Sequence, residues 1–390
     1  MSDLDLETLI AAGPIAPIED PYSLYAELRR EAPVKRMNFP ARPTYFVSRF
    51  DDVHAVFKDH QRFSNRSNER GIGLLIGRTI IGMDGPEHQK HRALITPALV
   101  PRALSGSFPE LVSRIAHEII DGFAERGSAD LVADFTYLYP IRVFTELLGL
   151  DPSDVAMFHD WAVDLSHVVA DPARGVEASV RMREYLGHVL CEKKRRPDAG
   201  MIGRLLTAEV NGERISDEEV INFVCLLVIA GAETTYHLMG SALYALLHTA
   251  DLFARVRADR QLIPQVLDET LRWESPVQMV TREAITDVEL AGTLIPAGSD
   301  LIVGIGSANR DERRFPNPDR FDADRKGEVH IAFGFGRHYC AGSRLAYLEA
   351  GIGLQAVFDR FPKLRFDPDA ERARILGVSF RSPDRLRVCL

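Results

Sequence analysis

A mainly α protein with a small β portion (α+β) is what this chain predicts. From about Pro86 to His248 apolar residues recur at three- and four-residue steps, as in Leu111, Ile115, Ile119 and Phe123. That is the period of helices with one buried face. Short alternating runs bounded by Gly and Pro, the mark of strands, come from the two ends of the chain. Because both ends contribute strands, residues 1–390 are expected to form one interleaved domain rather than two beads.

In "PVKRMNFPARPTYFVSRF" two short strands flank a Pro-marked turn, and Asp51 is expected to cap the helix of "DVHAVFKD". A helix opening near Pro86 carries "HQKHR". Ser216 and Glu219 have the spacing of a capping box, so a helix is expected from there to His248. At about 1.5 Å per residue it would span ~45–50 Å. "ETLR", Glu269 to Arg272, lies on a segment that ends at the Pro276 stop signal. "VQMVTREAI", "VELAG" and "LIVGIG" then read as strands. A last helix is expected from about Ala341 to Phe361, with Leu345, Leu348, Ile352 and Ala356 on one face.

The composition, 46% hydrophobic and 26% charged, is that of a soluble globular protein with a large core. A net charge of −9 offers no basic excess for nucleic acid. Cys191, Cys225, Cys340 and Cys389 are scattered, with no CxxC, which fits a reducing cytosol. "MSDLDLETLI" lacks the basic and apolar regions of a signal peptide. The longest apolar run, Val220 to Ala232, is shorter than the roughly 18–20 residues of a membrane span. A cytoplasmic location without a membrane anchor is expected.

Two stretches carry chemistry. In "FGFGRHYCAG", Phe333 to Gly342, a lone cysteine precedes the last expected helix. Unpaired backbone N–H groups and the helix dipole there favour a thiolate. Gly334 and Gly336 allow a tight turn and close approach to a flat ligand, and Phe333 supplies an apolar wall. In "AGAETT", Ala230 to Thr235, the apolar run of the long helix is broken by Gly231, Glu233 and Thr234. A buried acid costs several kcal/mol unless paired or hydrated, and glycine weakens a helix by about 1 kcal/mol. Such defects in mid-core mark a site.

The Phe333–Gly342 stretch resembles the haem-binding loop of cytochrome P450 enzymes, Phe-Gly-x-Gly-x-His-x-Cys-x-Gly, at every fixed position. "ETLR" is similar to the family's Glu-x-x-Arg, and "AGAETT" to its distal-helix motif Ala/Gly-Gly-x-Asp/Glu-Thr. "HQKHR", "ANRD" and "FPNPDRFDADR" also match, so the resemblance runs in order from about Pro86 to Phe361. It implies the cytochrome P450 fold, with a long central helix over a buried haem b whose iron is ligated by Cys340. Phe333, Gly342 and Ala230 would border the cofactor. His88, Arg92, Arg282 and His338 would give its propionates charge-assisted partners. Thr234 would stand beside O2 with Glu233 behind it as proton conduit; Glu replaces the more usual Asp, which moves the carboxylate by one methylene. Glu269 and Arg272 would form a structural brace. His91, on the other face of its helix, is expected at the surface.

The resemblance further implies a monooxygenase that hydroxylates a hydrophobic small molecule such as a steroid, terpenoid, fatty acyl chain or macrolide. Electrons would come from NAD(P)H through a separate ferredoxin or flavodoxin and its reductase. By position, Leu74, Leu75, Ile80, Ile229, Val277, Met279, Val280, Val378 and Phe380 are the expected pocket residues. Residues 158–196 would form a lid, with Trp161, Leu165 and Val168 toward substrate. Arg337, Arg344, Lys90 and Arg102 are candidates for a basic docking patch. The rivals are a peroxide-driven peroxygenase, a haem-thiolate isomerase or dehydratase, and a haem-binding sensor without turnover. Retention of Glu233 and Thr234 favours oxygen activation, because a peroxide route does not need that relay.

Overall fold

The computed structural model describes residues 5–11, 13, 16–99, 104–166, 172–198, 200–210, 212–327 and 329–390. Val168 and Arg102 lie outside the described residues. The chain divides into two compact units, each assembled from separated stretches. The first holds residues 1–68, 240–340 and 372–384; the second holds 69–239, 341–371 and 385–390.

The first unit is built on a five-stranded sheet in the order Val34–Met37, Thr44–Val47, Asp300–Gly304, Met279–Ala284, Phe63–Ser64. Thr44–Val47 and Asp300–Gly304 run parallel, with Leu301 opposite Tyr45, and the other neighbours are antiparallel. Both faces are covered, and the period-2 alternation of a strand sorts the residues. Tyr45, Val47, Leu301 and Val303 join a cluster with Val53, Val56 and Phe57. Phe46 and Ile302 point the other way, to Leu6, Leu9, Tyr25 and Leu28. Asp51 does not cap its helix: Phe50–Lys58 starts one residue earlier and takes Asp51 into its first turn. The carboxylate of Asp311 caps it instead, accepting the Phe50 N–H at 2.9 Å. A partner 261 residues away is invisible to a local capping rule.

The second unit is helical. Ser107–Asp121 buries Phe108, Val112, Ile115, Ala116, Ile119 and Ile120 on one stripe and packs against Ser343–Arg360. That last helix starts at Ser343, later than expected, and its buried side is Leu345, Glu349, Ala350, Gly353, Leu354, Ala356 and Val357. Leu348 and Ile352 are half-exposed. The phase is set by close packing at Gly353, where an added Cβ would lie 2.5 Å from Met239 and 2.8 Å from Tyr139.

The long helix runs Asp217–His248. Its capping box forms as expected: Ser216 N–H donates to Glu219 Oε2 at 2.6 Å, and Glu219 N–H donates to Ser216 Oγ at 3.2 Å. By length and composition alone this helix would cross a membrane, yet 59% of its most apolar window is buried inside the protein. Buried in this way, it serves as a core helix.

Candidate active site

In the first unit the cysteine loop is closed by its own backbone. Cys340 N–H donates to Phe333 C=O at 2.9 Å, and Gly334 N–H to Ile331 C=O at 2.9 Å. The turn needs glycine: Gly334 and Gly336 have φ of 71° and 74°, and a Cβ on Gly336 would lie 2.9 Å from the Phe57 carbonyl. Cysteine is ordinarily among the most buried residue types, whereas here Cys340 stands exposed and outside any disulfide. Phe333 and His338 are half-buried beside it. Arg282 is nearly buried on the Met279–Ala284 strand, its guanidinium 5.2 Å from the Phe57 ring centroid.

Beneath this loop lies a buried clamp. On helix Ile263–Trp273, Arg272 meets Glu269 through two hydrogen bonds of 2.8 and 2.7 Å. Arg272 also donates to the carbonyls of Asn309, Pro318 and Arg320. Glu269 in turn accepts from Asp322 N–H at 2.8 Å. Asn309 Oδ1 accepts the Ile331 N–H at 2.9 Å, which extends the clamp to the base of the cysteine loop. The "ANRD" and "FPNPDRFDADR" stretches are therefore what the Glu–Arg pair holds.

In the second unit the middle of the long helix opens. Residues Cys225 to Val228 are buried, as is His237, while Ile229, Ala230, Gly231, Glu233 and Thr234 are half-exposed or exposed. Thr234 Oγ1 donates to the Ala230 carbonyl at 2.7 Å. Gly231 has a steric reason: a Cβ there would lie 1.9 Å from Phe144 Cζ. Phe144 belongs to helix Leu138–Leu148, and just before that helix Tyr137 stacks edge-on with Tyr236 at 5.3 Å. Burial pushes the Tyr137 phenol up to about 12, and the charge of Glu233, then of Asp160 and Asp164, adds to it. Glu233 thus faces a phenol in an acidic neighbourhood. On the last helix the Glu349 carboxyl is fully buried, and that burial pushes it well above the usual carboxylate range.

Burial alone pushes His237 down to about 3 from its ordinary 6.5. Folded, it stays neutral; the unfolded chain takes up the proton, so stability is lost as pH falls from 6.5 toward about 3. Between about pH 7 and about pH 4.5, His237→Leu is expected to lose roughly 2–3 kcal/mol less than the parent. Urea unfolding at the two pH values checks this, and equal losses would remove His237 from the acid response.

His88 and Arg92 lie one turn apart on helix Gly85–Ile95, His88 buried and Arg92 half-exposed. His91, expected at the surface, is instead buried, with Nδ1 3.0 Å from the Glu87 carbonyl and Nε2 2.8 Å from Glu219 Oε1. Although burial raises the Glu219 carboxyl, the Ser216 N–H, His91 and the Ser216 hydroxyl hold it down at about 2. His91 is thus an anchor for the start of the long helix.

The expected pocket residues divide. Val277 and Phe380 are half-buried and face each other in a β-bridge. Met279 and Val280 pack partly against the two cores of the first unit. Val378 is a correction: it is fully buried with Leu6, Leu9 and Tyr25 in the core. Leu74 is 78% exposed while Leu75 is buried, and Ile80 lines a small cleft with Met83, Ile95 and Phe223. Trp161 and Leu165 are buried, Trp161 against Phe158 and Tyr185. Of the basic candidates, Arg337 and Arg344 are exposed, but Lys90 is paired with Glu213.

These residues fit a haem. Among the described residues no three His, Cys, Asp or Glu side chains group to hold an ion. The exposed Cys340 thiol, on a loop closed by its own backbone, suits a metal whose other ligands are non-protein. Arg282 and His338 in the first unit, and His88 and Arg92 in the second, are the side chains that the sequence resemblance assigns to the propionates.

Comparison with known proteins agrees. A family model described as "Cytochrome P450" matches residues 12–148 and 173–377. Cytochrome P450 107B1 of Saccharopolyspora erythraea is 34% identical, covering 95% of both chains. Cytochrome P450 monooxygenase PikC of Streptomyces venezuelae is 34% identical over 89% of this chain and 85% of its own. The crystal structure of CYP109E1 from Bacillus megaterium with testosterone superposes with a TM-score of 0.86 at 32% identity, covering 95% of this chain and 99% of its own.

Proposed function

Because the chain belongs to the cytochrome P450 family and is a monooxygenase of that family, we propose that it hydroxylates an apolar molecule of about steroid size in the cytoplasm. Dioxygen is the co-substrate, and a separate ferredoxin or flavodoxin delivers the two electrons. The bound testosterone of CYP109E1 supports the substrate class, as do the apolar side chains of Ile229, Val277 and Phe380.

Bound haem supplies oxygen activation, and the protein supplies orientation and electrostatics. Cys340, held by the closed loop, would be the thiolate donor. His88, Arg92, Arg282 and His338 would hold its propionates by charge-assisted bonds. Thr234 carries a proton on Oγ1, parked on the Ala230 carbonyl at 2.7 Å, and Glu233 replenishes it. The observation that carries the reading is this acid–alcohol pair, half-exposed between the buried stretches 222–228 and 237–243 of the same helix. A peroxide-driven enzyme has no use for it.

Thr234→Ala is expected to keep haem and substrate binding while product formed per NAD(P)H consumed falls at least about tenfold, the scale of a lost proton donor. Unchanged coupling would refute the relay. Full activity with peroxide alone would assign a peroxygenase instead.

A further inference from the structure

Arg381 is the largest fully buried side chain of the first unit, 1% exposed, and nothing in the chemistry above uses it. All five of its N–H groups are engaged. Nε donates to Glu274 Oε1 at 2.6 Å. Nη1 donates to the carbonyls of Ile18 and Gly377, and Nη2 to those of Glu19 and Ile375. Glu274 also accepts from Tyr22 Oη at 2.5 Å. Tyr22 Oη in turn accepts from Gln278 Nε2 at 3.1 Å, and the Arg310 guanidinium lies 3.4 Å over the Tyr22 ring.

A buried ion pair of this kind contributes little stability relative to apolar filler, while fixing geometry is its best-attested use. Its place in the chain shows what is fixed. Gln278 follows Val277, and Arg381 follows Phe380. Alternation sends Gln278 and Arg381 into the network and leaves Val277 and Phe380, bridged to each other, half-buried on the other side. The backbone closes the same unit: Gln278 N–H donates to Ser379 C=O and Arg381 N–H to Pro276 C=O. The turn is tight enough that a Cβ on Gly377 would lie 1.8 Å from the Phe380 carbonyl.

We propose that Tyr22, Glu274 and Arg381 are positioning residues for substrate selectivity, setting from behind how far Phe380 and Val277 stand into the substrate site. The proposal rests on the reading that these two apolar residues face substrate. Substrate touches none of the three; they act through the bridge.

The test uses the full-length, haem-loaded protein, with imidazole and 4-phenylimidazole as probes, titrated by the shift of the Soret band. Tyr22→Phe keeps the ring and removes one hydrogen-bonding hydroxyl. It is expected to change the ratio of the two dissociation constants about fivefold, mostly through the bulkier ligand. Phe380→Ala should change the ratio as well, and the double variant should match Phe380→Ala alone, since the first change acts through the second residue. An unchanged ratio, equal shifts for both ligands, or additive effects would overturn the proposal. Amide exchange at residues 377–381 needs no haem and should quicken in Tyr22→Phe; unaltered exchange would also overturn it. If the parent protein gave no Soret shift with imidazole, the haem reading would fail, and amide exchange would still decide the lock.

Discussion

Arg272→Met is expected to cost about 3 kcal/mol, because it leaves the buried Glu269 without its bidentate partner and with only the longer contacts of Arg325 Nε, 3.3 and 3.4 Å, in its place. Glu269 and Arg272 are 4% and 2% exposed. The loss also strips donors from the carbonyls of Asn309, Pro318 and Arg320. Against a total stability of about 5–15 kcal/mol, little folded protein should survive at 37 °C, a temperature at which the parent is intact. Arg272→Lys should rescue poorly: an ammonium is a point donor, while the site needs a planar fork that reaches a carboxylate and three carbonyls at once. Equilibrium unfolding in urea measures both variants. A methionine variant within about 1 kcal/mol of the parent would mean that the pair is no more than an ordinary surface bridge.

Gly231→Ala should have the next largest effect, and for a reason specific to this chain. Alanine ordinarily strengthens a helix by about 1 kcal/mol over glycine. Here its Cβ would fall 1.9–2.5 Å from three atoms of the Phe144 ring, and overpacking of a tight core costs about 1–3 kcal/mol. The ring is buried, so relief requires movement of Leu138–Leu148 or of the helix backbone two and three residues before Glu233 and Thr234. Net destabilisation together with disturbed coupling is expected. Phe144→Leu in the alanine background should restore part of both, with an interaction energy above about 0.5 kcal/mol in a double-mutant cycle. Additive effects would show that the glycine answers some other demand.

The parts of the site legible in sequence were those written in short local patterns: the cysteine loop, the capping box at Ser216 and Glu219, and the Glu269–Arg272 spacing. Their partners were not legible, because they come from far along the chain. Asp311 caps a helix at Phe50, Asn309 ties the loop base at Ile331, and Phe144 explains Gly231. His91 is buried rather than at the surface because Glu219 meets it from a different helix, which its face on its own helix does not reveal. Apolar character also failed to separate pocket from core: Val378 and Phe380 are two residues apart, yet the first is fully buried in the N-terminal cluster and the second is half-buried in the bridge. A single undemanding residue type carries no signal for that difference. Arg381 gives no local signal either, since its five hydrogen bonds go to Glu274, Ile18, Gly377, Glu19 and Ile375, most of them distant in sequence.

The central claim is that Cys340 donates a thiolate to haem iron. The visible spectrum of the purified protein, reduced and exposed to CO, tests it most directly. The account predicts the strongly red-shifted Soret band of a thiolate-ligated carbonyl complex, lost in Cys340→His. Haem bound without that band in the parent, or the band retained after the cysteine is replaced, would contradict it.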